Sequence, residues 1–222
     1  MLILRKKEGE KMSREEKFKT IIKNIDIEPS FRKNFDKPSF NTYRAPKKDW
    51  ISSKFSKNKY ASYKPFQFVD GEGIRCSIYL SGCLFACKEC FNESIQNFRA
   101  GEEYNQTVED TIINDLSKSY VQGLTILGGE PFLNTNVAIK LATRVRKEFG
   151  RNKDIWVYSG FTYEQIINST DDKKKLLSLC DVLVDGPFIL ALKDLNLRFR
   201  GSSNQRIIDL KKSTNKVVLY ME

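Results

Sequence analysis

The chain has 222 residues, of which 40% are hydrophobic and 30% are charged, so it is long enough for one domain with a sizeable core. It contains no histidine, which excludes Ser-His-Asp triads, Cys-His dyads and every histidine-liganded metal site. The net charge of +10 lies wholly in residues 1–64, and the rest of the chain is neutral, which argues against a nucleic-acid-binding core.

The first 60 residues differ from the others, since they are rich in Lys, Ser and Asn and mostly lack a hydrophobic period. We predict a basic, partly irregular N-terminal extension over 1–60 and a folded domain over 61–222. A short helix is predicted over 14–27, where apolar side chains recur at helical spacing. The extension either stays mobile or wraps the domain through aromatic side chains. Those side chains are Phe40, Tyr43 and Trp50.

No stretch predicts export or membrane insertion. The apolar run at residues 1–4 is too short for a secretory signal, and no stretch approaches the roughly 18 apolar residues of a membrane span. Clustered cysteines then indicate a reducing cytoplasm, where they serve metal binding or catalysis rather than disulfides. Residues 7–12 are what a translated purine-rich ribosome-binding site would encode, and we hypothesise that translation starts at Met12.

After residue 65, apolar strands alternate with helical segments. Strands are predicted at 75–80, 124–127, 155–158, 182–184 and 217–220. Helices are predicted at 107–118, 136–149, 163–168 and 173–179. Thr107 and Asn136 are the predicted caps of the first two helices, and Gly150 closes the second. This alternation predicts βαβ units, a mainly parallel sheet and an α/β fold class.

Polar or glycine-containing segments follow four of these strands directly. They are the cysteine run after residue 80, Gly128-Gly129-Glu130-Pro131, Ser159-Gly160 and Asp185-Gly186-Pro187. The carboxyl ends of parallel strands meet at one edge of a sheet, where active sites of α/β proteins lie. The pattern therefore predicts an enzyme site at that edge.

Three of the five cysteines have the spacing C-x3-C-x2-C, at Cys83, Cys87 and Cys90. A structural zinc site needs four closed ligands, so a fourth would come from Cys76, Cys180 or a carboxylate. In a [4Fe–4S] cluster three thiolates leave one iron open to a substrate or cofactor. The spacing favours the cluster and leaves zinc open. Cys76 and Cys180 are interpreted as structural thiols.

The Gly-Gly-Glu-Pro segment offers bare backbone to a small charged ligand, although alone it would indicate an ordinary turn. Together with the cysteine spacing it resembles the radical S-adenosylmethionine superfamily. The resemblance is closer to one family, the activating enzymes of anaerobic ribonucleoside-triphosphate reductase. It extends in order over residues 60–210. The further matching segments are 70–77, 156–162, 181–186 and 197–206.

This resemblance implies an incomplete parallel (βα) barrel of five or six strands, of the radical S-adenosylmethionine type, open on one side to a large protein partner. It implies that Cys83, Cys87 and Cys90 hold a catalytic [4Fe–4S] cluster whose open iron binds S-adenosylmethionine. Reductive cleavage of that cofactor would give a 5′-deoxyadenosyl radical, which would form a glycyl radical on the reductase large subunit. The electron would come from a low-potential donor such as flavodoxin.

The resemblance also implies which residues contact the cofactor. Gly128, Gly129 and Glu130 would lie against the methionine amine. The adenine would be flanked by Phe91 and by the backbone around Cys90, including Glu89. Weaker candidates for ribose or carboxylate contacts are Ser159 and Asp185. A polar cluster near the rim would meet the cofactor or the partner, and consists of Arg198, Arg200, Asn204 and Arg206.

Two positions depart from the related patterns. The superfamily places an aromatic residue just before the third cysteine, where this chain has Glu89; the activating-enzyme family instead has an aromatic residue and Asn after it, as Phe91 and Asn92 do here. Related activases often have Lys at the position of Pro187. The alternatives are an activase of another glycyl-radical enzyme, of the pyruvate formate-lyase type, and a zinc-bound nucleic-acid module.

Overall fold

The computed structural model describes residues 43–213 and 216–221. Its helices are α1 Ser52–Phe55, α2 Gln106–Leu116, α3 Thr135–Phe149, α4 Tyr163–Ile167 and α5 Asp171–Leu179. Its strands are β1 Lys59–Gln67, β2 Ile74–Leu80, β3 Glu102–Glu103, β4 Val121–Gly128, β5 Asp154–Tyr158, β6 Val182–Asp185, β7 Arg206–Asp209 and β8 Leu219–Met221. The helix predicted over 14–27, the start at Met12 and Phe40 lie outside the described residues.

Within the described residues the strands form one open sheet in the order β3-β1-β2-β4-β5-β6-β7-β8. The four central strands β2, β4, β5 and β6 run parallel, and β2, β4 and β6 are largely buried, as expected of strands covered on both faces. The outer strands pair antiparallel with their neighbours. The predicted α/β class with a parallel sheet is therefore confirmed.

The parallel part has four strands, rather than the five or six that the resemblance implied. Strand β1 was not predicted, because its sequence carries two lysines and Pro65 and is only half-buried. The short strand β7 was also missed: only its first residue, Arg206, belongs to the segment 197–206, and the fully buried Ile207 and Ile208 were assigned to no element.

Two helix starts differ from the predicted ones by one or two residues. Helix α2 is capped by Asn105, whose side-chain oxygen accepts a hydrogen bond from the Val108 amide at 3.1 Å, rather than by Thr107. Helix α3 begins at Thr135, so Asn136 lies inside its first turn. Gly150 ends α3 as predicted, with φ +58° and its amide bonded to the Arg146 carbonyl.

The two faces of the sheet carry different side chains, as the alternation along a strand requires. On β2, Cys76, Ile78 and Leu80 join the main apolar core with residues of α2, α3 and α5. Arg75, one residue before Cys76, lies on the other face, with its guanidinium carbon 5.2 Å from the centroid of the Trp156 ring. None of the helices among residues 43–213 and 216–221 is long and apolar enough to cross a membrane.

Candidate functional site

The ends of the four parallel strands meet at one edge of the sheet through backbone hydrogen bonds. Past β4, the amide of Gly129 donates to the Leu80 carbonyl at 2.7 Å, and the amide of Glu130 donates to the Gly82 carbonyl at 2.8 Å. Past β5, the amide of Ser159 donates to the carbonyl of Val184 in β6 at 2.9 Å. The cysteine loop that follows β2 therefore begins beside the Gly-Gly-Glu-Pro turn.

Both glycines of that turn are required by close backbone approach. Gly128 has φ +109°, and a Cβ there would lie 2.7 Å from the Leu80 amide nitrogen. A Cβ on Gly129 would lie 2.4 Å from the Gly82 carbonyl oxygen. In both cases the obstacle is backbone, which cannot rotate away. The two glycines therefore allow the first residues of the cysteine loop to lie directly against this turn.

The carboxylate of Glu130 joins the β4 and β5 strand ends. Its side chain is fully buried, and it accepts hydrogen bonds from the Phe132 amide at 2.9 Å, the Ser159 hydroxyl at 3.0 Å and the Gly160 amide at 2.8 Å. Burial raises the pKa of Glu130 to about 7, although these hydrogen bonds oppose the rise. Both of its oxygens are therefore occupied by the protein itself.

This burial predicts a pH dependence of stability. An unfolded glutamate releases its proton near pH 4.5, whereas folded Glu130 keeps it to about pH 7. Between these values the folded state binds more protons, so the free energy of unfolding falls as pH rises, by about 3 kcal/mol in total, and levels off above pH 7. Urea titrations of the metal-free, reduced protein across this window would measure it, and Glu130→Gln should remove this component. An unchanged pH profile in Glu130→Gln would contradict the assignment.

Two non-glycine residues of the cysteine loop have backbone dihedral angles in the left-handed region, where the chain changes direction. Ala86 has φ +49° and Glu89 has φ +54°, and both are exposed. The loop's first amides, of Gly82 and Cys83, donate to the carbonyls of Ile95 and Gln96 at 2.8 and 2.9 Å. All three clustered cysteines are free and partly buried.

The sulfur atoms receive backbone hydrogen bonds. The amide of Phe85 donates to the Cys83 Sγ and the amide of Asn92 to the Cys90 Sγ, each at 3.4 Å. Burial, reinforced by the Glu130 carboxylate, raises the pKa of Cys83, and burial with the neighbouring Cys90 raises the pKa of Cys87 to about 11. Without iron these thiols stay protonated at neutral pH, so loading the site releases protons.

The donor set fits an iron–sulfur cluster with one open iron. The three thiols share one loop, and each can bind a different iron atom, so their sulfurs need not converge on a single point. Within the described part of the chain, no group of three or more His, Cys, Asp or Glu side chains is arranged to hold a metal ion. Of the two other cysteines, Cys76 lies inside β2, and the Cys180 thiol donates to the Leu176 carbonyl at 3.3 Å.

An exposed aromatic patch lies beside the loop. Phe91 is 68% exposed, and its ring centroid is 5.6 Å from that of Phe188. The ammonium of Lys193 lies 5.4 Å from the Phe91 ring centroid. Glu89 is also exposed. Phe91 is thus exposed to a flat ligand, and none of the described residues covers it fully.

The predicted ribose and carboxylate contacts are engaged within the protein. The Asp185 carboxylate accepts from the Tyr163 amide at 2.8 Å and from the guanidinium of Arg206. The Ser159 hydroxyl donates to Glu130. In the rim segment, Asn204 donates to the Pro187 carbonyl at 2.8 Å and Arg200 to the Gln205 carbonyl at 3.3 Å. These side chains fix the positions of the strand ends and of the segment after β6.

The structure adds Phe161, which the sequence analysis did not assign to the site, as a support of the cysteine loop. Phe85 is 1% exposed, and its ring lies 5.0 Å from that of Phe161. A Cβ on Gly160 would lie 2.8 Å from the Phe85 ring. Gly160 therefore leaves room for the Phe85 ring of the cysteine loop. The apolar residues between the cysteines were the sequence signal that this side of the loop is buried.

Comparisons with known proteins agree with this geometry. A family model described as a 4Fe-4S single cluster domain matches residues 69–208. The chain is 40% identical over 152 residues to the anaerobic ribonucleoside-triphosphate reductase-activating protein of Vibrio cholerae, covering 67% of this chain and 96% of that protein. It is 38% identical over 156 residues to the protein of that name in Escherichia coli K12, covering 68% and 99%.

The chain belongs to the family of anaerobic ribonucleoside-triphosphate reductase-activating proteins. A phage T4 protein of the same name is 35% identical over 150 residues, covering 67% of this chain and 92% of that protein. The family resemblance drawn from the motifs is thereby confirmed, and the iron–sulfur interpretation is favoured over zinc. About a third of this chain lies outside each alignment, and the matched cluster domain begins only at residue 69.

Proposed function

We propose that this activating-family protein generates a glycyl radical on anaerobic ribonucleoside-triphosphate reductase, using a [4Fe–4S] cluster on Cys83, Cys87 and Cys90. The observation that carries the proposal is a triplet of free, partly buried thiols beside the Gly128-Gly129 turn, in a chain that covers almost the whole length of relatives named for activating that reductase. The partner named by those relatives is taken as the partner here.

Cys83, Cys87 and Cys90 would hold the cluster, which with S-adenosylmethionine would supply the reductive cleavage and the hydrogen-atom abstraction from a reductase glycine. The chain's own residues bind and orient the cofactor, and they exclude water from the site. Leu84 and Phe85 pack the inner side of the loop into the apolar core, which keeps water from the sulfurs. Amides of Phe85 and Asn92 stabilise thiolate charge on Cys83 and Cys90.

The cofactor is proposed to lie between the glycine turn and the exposed aromatic patch. Gly128 and Gly129 offer backbone to the methionine amine, and Glu130 acts by holding that turn. Phe91 and the backbone from Glu89 to Cys90 flank the adenine. Ser159 and Asp185 hold the neighbouring strand ends on the ribose side.

The four parallel strands are proposed to form the wall of an incomplete barrel of the radical S-adenosylmethionine type, with its open side facing the reductase. We also propose that the chain consists of an N-terminal extension over 1–60 and a domain over 61–222, with Trp50 of the extension packed into the core of the domain. An electron donor of low potential, such as flavodoxin, is proposed to reduce the cluster in the cytoplasm.

The test uses full-length protein reconstituted anaerobically with iron and sulfide. After reduction, low-temperature EPR is recorded without and with S-adenosylmethionine, and the sample is then mixed with the reductase. We expect a cluster signal that changes on adding the cofactor, followed by a glycyl radical signal on the reductase. Stoichiometric zinc with no cluster signal would overturn the proposal. A radical formed on pyruvate formate-lyase but not on the reductase would favour the alternative partner.

A further inference from the structure

The segment 43–56, which precedes the matched cluster domain, packs directly on the cysteine loop. The Trp50 side chain is 6% exposed, and its ring centroid lies 5.2 Å from that of Phe85, with the planes at 84°. The same ring lies 6.2 Å from Phe161, at 85°. Phe85 and Phe161 are themselves edge-to-face, so three rings pack mutually in a favourable geometry.

Polar contacts hold the middle and the C-terminal end of this segment. The buried ammonium of Lys173 donates to the Trp50 carbonyl at 2.9 Å. The Ser52 hydroxyl oxygen accepts from the amide of Thr135, the first residue of α3, at 3.0 Å. The Ser56 hydroxyl donates to Asn134 at 2.6 Å, and the Asn134 amide in turn donates to the carbonyl of Ser81, just before the loop.

The cysteine loop has few other supports between its first two cysteines. For residues 84–86, the Arg44 amide donating to the Phe85 carbonyl at 2.5 Å is the one backbone-to-backbone hydrogen bond among the described residues. The Phe85 side chain is buried against Trp50 and Phe161. The position of this stretch, and with it the separation of Cys83 from Cys87, therefore depends on Arg44 and Trp50.

We infer that the segment 43–56 is a structural part of the cysteine site, and that Trp50 is a positioning residue that holds Cys83 and Cys87 in place through Phe85. The inference rests on the proposed function only in treating these cysteines as the cluster ligands. Their accessibility can be measured in the metal-free chain, so its failure is separable from failure of the proposed function.

The test measures how fast N-ethylmaleimide alkylates each cysteine in the full-length, reduced, metal-free protein, with sites resolved by mass spectrometry. Trp50→Ala should speed alkylation of Cys83 and Cys87 by about tenfold, because local opening of the loop becomes easier. Cys180 should react at its original rate. Trp50→Phe should restore near-original rates, since it keeps an aromatic ring against Phe85.

Two control variants keep the test decisive. Leu116→Ala creates a core cavity at the end of α2, next to the start of β4 and away from the cysteine edge, and should leave the Cys83 and Cys87 rates unchanged. Arg44 is exposed, so its variants should fold. Arg44→Pro removes the amide that bonds Phe85 and should speed alkylation, whereas Arg44→Ala keeps that amide and should not.

A second readout uses the reconstituted protein in air. Bleaching of the iron–sulfur absorption should be severalfold faster in Trp50→Ala than in Leu116→Ala, because the loosened loop admits oxygen and water. Equal Cys83 rates in Trp50→Ala and Leu116→Ala, together with equal rates in the two Arg44 variants, would overturn the inference. A protein that binds no iron would leave the alkylation rates as predicted and would contradict only the proposed function.

Discussion

Cys87→Ser is expected to abolish stable cluster binding and radical generation. A serine oxygen is a harder ligand than a thiolate and stays protonated at neutral pH, so iron affinity should fall by more than about 100-fold. Cys87 is only partly buried, so the fold should survive the change. The measurements are iron and sulfide per chain after anaerobic reconstitution, and the glycyl radical signal formed on the reductase.

Cys180→Ser is the matched control for that variant. Cys180 is 3% exposed, and a serine hydroxyl can make the same hydrogen bond to the Leu176 carbonyl. Its cost should be limited to burying a more polar group, about 1 kcal/mol of stability, with iron content unchanged. If Cys180→Ser lost its iron while Cys87→Ser kept it, the assignment of the cluster ligands would be wrong.

Arg75→Met is expected to cause a large loss of stability without removing a site residue. The Arg75 guanidinium is completely buried, donates to the Thr125 hydroxyl and the Leu124 carbonyl, each at 2.7 Å, and lies 2.5 Å from Asp154 Oδ1. Methionine keeps the apolar stem but leaves Asp154 without its cation. Breaking such a pair costs about 3 kcal/mol or more, which urea unfolding would measure.

The double variant Arg75→Met with Asp154→Asn separates the stranded charge from the lost contacts. Neutralising Asp154 should recover part of the loss, because the two residues share one interaction. The exposed Arg99→Met should change stability by no more than about 0.5 kcal/mol. A loss in Arg75→Met no greater than that in Arg99→Met would show that the buried pair contributes little.

The sequence was sufficient for the central part of this fold. Strands such as β4 and β6 are apolar runs with little alternation, and those runs identify strands buried on both faces of a parallel sheet. Strand β1, which lies between β3 and β2, was missed because its side chains are half-exposed and include lysine. Its partner β2 begins only seven residues after β1 ends, but its other partner, β3, begins about 35 residues further on, and a local pattern does not report that pairing.

The same limit applies to the candidate site. Spacing alone was enough to predict Cys83, Cys87 and Cys90 as ligands of one site, because residues on one loop are close in sequence. The role of Glu130 as a buried link between strand ends could not be predicted, since its partners Ser159 and Gly160 lie about thirty residues away. Trp50 was assigned to an extension because basic composition dominates its neighbourhood, and its buried side chain supports the alternative in which that extension packs on the domain.

The contact between Lys173 and Trp50 spans 123 residues of sequence, and that separation has a consequence for maturation. During synthesis the cysteines leave the ribosome well before Phe161, Lys173 and strand β6. A loop whose supports are so non-local gains its final shape only when the late part of the chain has folded. The supports of the loop that involve Phe161 and Lys173 therefore form only late in synthesis, and we expect cluster insertion to follow translation rather than to accompany it.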